Sequence, residues 1–429
     1  MPRRARPLLL AVVALVACTP ERVTPRSSGS LAISRDDALL FVADADHDAV
    51  VVIDTATQRV LRQTAVARQP ERVLVAPDGA LFVTSRGART VSRLSADGEA
   101  VLATATVGAE PVGLALTSDG KRLLVANSSS GTVSVLQATS LAPVRELSVG
   151  GQPWALALGV DDRQLYVTDF TSGSLRVVDL EGPANQELTL EQPPEAECAR
   201  GNVQRRVPAQ AADVVVTPGG ERAFVAHVQS RTGLDRRVNG SLRLAVAPAL
   251  STIDTGSARV LRDELTADRP FRRGDEERRA DFPPALLSTN LDESCTMVGG
   301  GNGMDAPSSL VVDGRGEWIF VADHNSNAVA VVSATGVVSP TFRDPQRGIA
   351  DVVRVGAKPT GLAVAGDLTR AWVHNALDYT VSLIESRDGR LTEAKVTSFA
   401  RSPLPPDVER GRRLFYSAVD PRVTEPQFG

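Results

Sequence analysis

The chain has 429 residues, of which 42% are hydrophobic and only 4% aromatic, and a formal net charge of −4 at pH 7. A balance so small over this length leaves no basic footprint, so no nucleic-acid partner is expected. The 34 glycines and 27 prolines are spread among Val, Ala and Leu, which fits many short strands joined by turns.

Arg3, Arg4 and Arg6 form a positive segment, followed by the apolar run Leu8 to Val16. Nine apolar residues are too few to cross about 30 Å of hydrocarbon as a helix, so the segment reads as an export signal. Its end, Leu15-Val16-Ala17-Cys18, resembles the bacterial lipobox. The resemblance implies that Cys18 is acylated and becomes the mature N-terminus. Thr19 in place of Asp implies the outer rather than the inner membrane. Residues 1–18 are then signal and lipobox, and 19–28 a tether that makes the only contact with the membrane.

Beyond the tether a phrase repeats. LLVANSSSGTVSVL at 123–136 returns as LLFVADADHDAVVVID from Leu39 and LFVTSRGARTVSRL from Leu81. It recurs as LYVTDFTSGSLRVVD from Leu165, IFVADHNSNAVAVV from Ile319 and AWVHNALDYTVSLI from Ala371. The third repeat divides into four strand-like pieces: Pro111 to Thr117, Arg122 to Ser128, Thr132 to Ala138 and Val144 to Gly150. Ser118-Asp119-Gly120-Lys121 supplies a tight turn between the first two. Pro70, Pro111 and Pro153 lie 41 and then 42 residues apart. Four short strands per repeat of this length define a β-propeller blade, and the period-two alternation with β-branched residues disfavours a helical solenoid. Repeats begin near Gly29, Gln69, Glu110, Gln152, Ala211, Ala306 and Lys358. The expected fold is all-β: a seven-bladed propeller of four-stranded antiparallel blades over 29–399, with a short helical tail at 400–429. Tyr166-Val167-Thr168-Asp169 and Leu124-Val125-Ala126-Asn127 resemble the motif of the YVTN-repeat β-propellers of bacterial and archaeal envelopes. Blades two and five depart from it, with Ser85 and His227 where Asn or Asp is usual. The first repeat opens with strand A and the last closes with strand D, so ring closure without an exchanged strand is expected. An outer strand added to blade seven by residues 20–27 is the alternative.

Three insertions interrupt the pattern, at about 191–210, 229–249 and 262–305. Two are D-to-A connections and one a B-to-C connection, so all three are expected on one face. They are either a binding surface or tolerated surface loops. On that reading the partner face comprises His47, Arg86, Asn127, Asp169, His227, Arg236, Arg237, Arg272, Arg273, His324, His374 and Asn375. The four histidines are either a metal or haem site assembled from four blades or simply polar B–C turn residues. Because strand A of blade one starts on this face and strand D of blade seven ends there, tether and C-terminal helix are expected to emerge there too. With Cys18 assigned to lipid, Cys198 and Cys295 in the connections flanking blade five are expected to form a disulfide in an oxidising compartment. Trp154, Trp318 and Trp372 read as core residues.

No CxxCH and no zinc-type Cys/His spacing occurs, so no catalytic, metal or cofactor residue is assigned. After Ala400, Asp407 can cap a helix over Val408 to Ala418. Arg410-Gly411-Arg412-Arg413-Leu414-Phe415 and Asp420-Pro421-Arg422 resemble the opening of a di-haem peroxidase-type cytochrome c domain. That implies haem c only if the gene continues past Gly429. The alternative is a helix docked on the propeller. The expected function is an envelope scaffold binding a protein or small ligand. The alternatives are the propeller part of a haem-dependent redox protein, with a haem-domain or electron-transfer partner, and a lactonase-like hydrolase.

Overall fold

In the third repeat, Leu123 and Val125 of strand B pack with Phe82, Val91 and Leu114 of the preceding blades and strands, whereas Leu124 and Ala126 pack with Leu156, Leu165 and Val167 of the following blade. Period-two alternation thus sends successive side chains to opposite neighbours, and a strand apolar at every position is buried on both faces. The same division holds around the ring. Seven apolar clusters among the described residues each fill the space between two adjacent sheets.

The computed structural model describes residues 26–183, 185–190, 206–231, 246–261, 278–279, 306–335, 337–338, 349–387 and 390–416. Seven antiparallel sheets make up the propeller, with four strands in blades one to six and five in blade seven. Strands A run Leu31–Ile33, Pro70–Val75, Pro111–Leu116, Pro153–Leu158, Arg206–Val216, Pro307–Val312 and Pro359–Val364. Blade five is the outlier. Its strands A, B and C (Arg206–Val216, Arg222–Arg231 and Val246–Asp254) are lengthened at the B–C end. Among the described residues no helix is long and apolar enough to cross a membrane.

Ring closure differs from the expectation. Strand β1 (Ser27–Gly29) pairs with the innermost strand of blade seven, in the register Ser27↔Ala363, Ser28↔Leu362 and Gly29↔Gly361. The chain then turns at Ser30 and becomes strand A of blade one. The fifth strand of blade seven is therefore inside the central channel and not at the outer edge. Close approach makes glycine necessary here: a Cβ on Gly361 would lie 2.5 Å from Leu31 N, and Gly29 has φ +74°. The outer edges also join, through Gln63 Nε2 to the Phe399 carbonyl at 3.2 Å and Lys395 Nζ to the Thr57 carbonyl at 3.2 Å.

This path reverses the expected exit of the N-terminus. β1 runs antiparallel to strand A of blade seven, so Arg26, the first described residue, lies at the end carrying the A–B turns. The Arg26 carbonyl accepts from Val364 N–H at 2.8 Å, and its guanidinium pairs with Asp37 and donates to the Ser34 and Arg35 carbonyls at 3.1 and 3.0 Å. The described chain thus begins at the A–B face, opposite the B–C turns.

The third insertion also departs from its expected place. Arg278–Arg279 pairs with Val337–Val338, which follows strand C of blade six. That pairing brings part of the connection to the C–D side of blade six. Cys18, Cys198 and Cys295 lie outside the described residues, as do Arg236, Arg237, Arg272 and Arg273.

Candidate functional site

The B–C face is built on a polar joint repeated at the end of strand B in blades one, three, four, six and seven. Asn127 Nδ2 donates to Thr132 Oγ1 at 3.1 Å and Ser134 Oγ at 2.8 Å; Asn375 does the same with Thr380 and Ser382 at 3.0 and 2.7 Å. In blades one, four and six the residue is Asp, and it accepts from N–H groups of its own turn: Asp44 from Asp46, Asp169 from Thr171 and Ser172, Asp323 from Ser326. A glycine of the preceding D–A connection lies on top. A Cβ on Gly108 would sit 2.6 Å from Asn127 Cγ, and one on Gly356 2.7 Å from Asn375 Cγ. Asn127, Asp169 and Asn375 are thereby buried and hold turns in place; they present nothing to a partner.

Two of the histidines are interior as well. His227 is fully buried, its Nε2 2.8 Å from Ser251 Oγ, and burial pushes its pKa down to about 4. His374 Nδ1 lies 2.7 Å from Ser30 Oγ, its ring stands 5.5 Å from Phe399, and burial pushes its pKa down to about 3. His324 begins the blade-six turn, and burial, with Lys358 nearby, brings its pKa to about 4. His47, like His324, is only half-buried, with Nδ1 2.7 Å from Asp44 Oδ2 and its ring edge-on to Tyr379 at 5.5 Å. Each histidine keeps its own partners. Among the described residues no three His, Cys, Asp or Glu side chains gather as a metal group would require.

Two clusters do occupy this face. Around blades two to four, Arg86 lies 5.4 Å from the Trp154 ring and 3.3 Å from Glu110, and Trp154 packs against Phe170 at 4.4 Å. Ser129 and Arg86 hold the Glu110 carboxyl below the usual range. Of the three tryptophans expected in the core only Trp372 is fully buried; Trp318 is half-buried at the core's edge, as is Trp154, which packs against the cluster between blades four and five. The place of Trp154 at the second position of strand A, at the channel mouth, was the available signal.

The second cluster is the C-terminal helix (Pro406–Tyr416), seated over blades one and seven. Arg412 pairs with Asp46, which also accepts from Tyr379 OH at 2.6 Å. Arg413 pairs with Asp378 at 2.6 Å and donates to the Leu377 carbonyl at 2.6 Å. Lys358 Nζ stands 3.7 Å from the Tyr416 ring centre. Its attachment is polar and leaves Val408 and Phe415 exposed. These contacts lower the pKa of Asp46 despite its burial, through Arg412 and Tyr379.

Below the face the channel is filled. β1 lies against strands A of blades two, six and seven. Asp213 of blade five accepts from Ser28 Oγ, from Leu310 N–H at 2.8 Å and from Arg72 Nη1 at 3.1 Å.

The class defined by these features is the seven-bladed β-propeller with a decorated B–C face. No protein-family model and no curated protein matches the chain. Solved structures do. A chain of Kuenenia stuttgartiensis hydrazine synthase is similar with a TM-score of 0.64 and 16% identity, covering 87% of this chain and 99% of that one. A functionally unknown protein from Desulfotomaculum acetoxidans has a TM-score of 0.51 and 12% identity, covering 84% and 96%. The structure of U3-55K gives 0.51 and 14%, covering 81% and 88%. At these identities the likeness concerns the fold alone.

Proposed function

We propose that this chain is a binding scaffold of the bacterial cell envelope, lipid-anchored at Cys18, that captures a protein or envelope ligand on its B–C face. The observation that carries the reading is that three irregular features gather there, while part of the third insertion reaches the C–D side of blade six. Blade five lengthens toward this face, the Arg86–Trp154–Phe170 cluster opens on it, and the C-terminal helix is seated on it. On a rigid scaffold, departures from the repeat are where recognition concentrates. The disulfide between Cys198 and Cys295, the YVTN-repeat kinship and an outer-membrane address belong to the same proposal. A photo-crosslinking residue at Arg86 or His47 is expected to yield adducts in intact envelopes, as is one at Arg236. Equivalent residues at Asp119 and Lys121, on the A–B face, are expected to yield none. Adducts from the second pair alone refute the assigned face.

A second reading, a haem-dependent redox protein, draws on one observation: a helix forms at Pro406–Tyr416, where the resemblance to a cytochrome c domain opens. The residues present do not fit the cofactor, since the 429 residues contain no CxxCH to attach it. Sequencing the gene beyond the codon for Gly429 tests this reading directly.

A further inference from the structure

We propose that the A–B face lies against the lipid surface, and that the B–C face with its helix is held away from it. This rests on the reading of Cys18 as the acylated residue. The inference comes from the path of the chain through the channel. Arg26 is fixed at the A–B rim by Asp37, the Ser34 and Arg35 carbonyls and Val364 N–H, so the tether begins beneath the propeller's axis.

Lengths exclude the opposite orientation. Eight residue steps separate Cys18 from Arg26. Fully extended, they reach at most about 29 Å. To bring the B–C face to the membrane, the tether must first pass outward under blade seven from β1 to the outermost strand. Four inter-strand gaps at about 4.8 Å make that roughly 19 Å. It must then climb the side of a blade whose strands of six residues rise about 20 Å. The route is about 39 Å before side chains are added, so the tether falls short. Charge around blades three and four is mixed. Arg122, Arg145 and Arg163 on the A–B face stand among Asp119, Asp161, Asp162 and Glu181, and both signs are present.

The two ends of the propeller consequently have different neighbours. The N-terminus serves the membrane, and the helix at the other end faces the compartment into which the protein projects. A partner reaching the Arg86–Trp154 cluster approaches from that compartment and does not have to squeeze between propeller and bilayer.

Energy transfer to a lipid-borne acceptor tests this. The full acylated chain is reconstituted in phosphatidylethanolamine–phosphatidylglycerol vesicles carrying a rhodamine-labelled lipid. A donor is attached through azidophenylalanine at Lys121 (A–B turn) or at Ser129 (B–C turn), leaving the native cysteines untouched. Transfer several-fold stronger from Lys121 is expected, and a long Gly-Ser insertion between Thr19 and Arg26 should abolish the difference. Equal transfer, stronger transfer from Ser129, or a difference that survives the insertion overturns the proposal. A parallel chain with six histidines immediately before Cys18, held on nickel-chelating lipid, isolates the geometry. If it shows the Lys121 preference while the natural chain fails to bind vesicles, the acylation reading falls and the exit face stands. If it lacks the preference, the exit face falls.

Discussion

Arg72 Nη1 and Asp213 Oδ1 stand 3.1 Å apart, joining strand A of blade two to strand A of blade five across the propeller's axis. Both side chains are largely buried, at 12% and 3% exposure. Asp213 also accepts from Ser28 Oγ and Leu310 N–H, so one carboxylate ties together blades two, five and six and the closing strand. Removing one partner strands the other charge. Asp213→Ala is expected to cost about 3–5 kcal/mol in urea unfolding, and the double change Arg72→Met/Asp213→Leu clearly less. A double variant as unstable as Asp213→Ala would show that the pair does more than satisfy itself.

Acid should weaken the fold through its interior histidines. His227 and His374 fall from an ordinary 6.5 to about 4 and about 3 on folding. Between those values the unfolded chain binds protons that the folded chain refuses, so stability is full above pH 6.5 and lost as pH falls. Going from about pH 7.5 to about pH 5, each should remove about 2 kcal/mol. His374→Gln is expected to lose about 2 kcal/mol less than the native chain over that interval, whatever it does at neutral pH. An unchanged pH slope would contradict the burial of this ring.

The glycines over the strand-B joints should resist enlargement. Gly108→Ala and Gly356→Ala each drive a methyl to within 2.6 or 2.7 Å of an asparagine carboxamide carbon. Each is expected to destabilise by about 1–3 kcal/mol, by displacing Asn127 or Asn375 from its Thr and Ser partners. Combining Gly108→Ala with Asn127→Ala should cost less than the two singles together, which a double-mutant cycle measures.

The seat of the C-terminal helix is half-exposed and ionic. Arg412→Ala is expected to weaken docking by about 1 kcal/mol, or roughly fivefold in the helix's open population. Hydrogen exchange over 406–416 would read this, and salt should reduce the native protection in the same direction. Retained protection in Arg412→Ala would assign the seat to Arg413 and Asp378 instead.

The blades were legible because strand B is apolar at consecutive positions and its neighbours alternate, a pattern imposed by wedging each sheet between two others. Strand A begins within one residue of the expected place in blades two, three, four, six and seven. The closing strand was not legible. Ser27-Ser28-Gly29 has no apolar alternation, and its pairing is made by backbone against Leu362 and Gly361. The face was legible only in outline. Asn127, Asp169 and Asn375 sit at strand ends, where polar side chains ordinarily meet solvent. Their burial comes from a D–A connection folding over them, which no local pattern encodes. Trp154 was legible only in part: a large apolar side chain in strand A reads as core, and it packs at the core's edge while its ring meets Phe170 and Arg86 at the channel mouth.

Ser30 Oγ lies 2.8 Å from Thr360 Oγ1 and 2.7 Å from His374 Nδ1, sequence separations of 330 and 344 residues. A chain synthesised from its N-terminus therefore delivers β1 first, yet the strand that receives it is among the last to arrive. Blades two to six can assemble from local hairpins while β1 waits unpaired, and loop-closure entropy delays the final joining. During that wait the innermost edges of blades one and seven stay open to proteases and to other strands. Maturation is then a race between delivery of the seventh blade and capture of an unfinished ring.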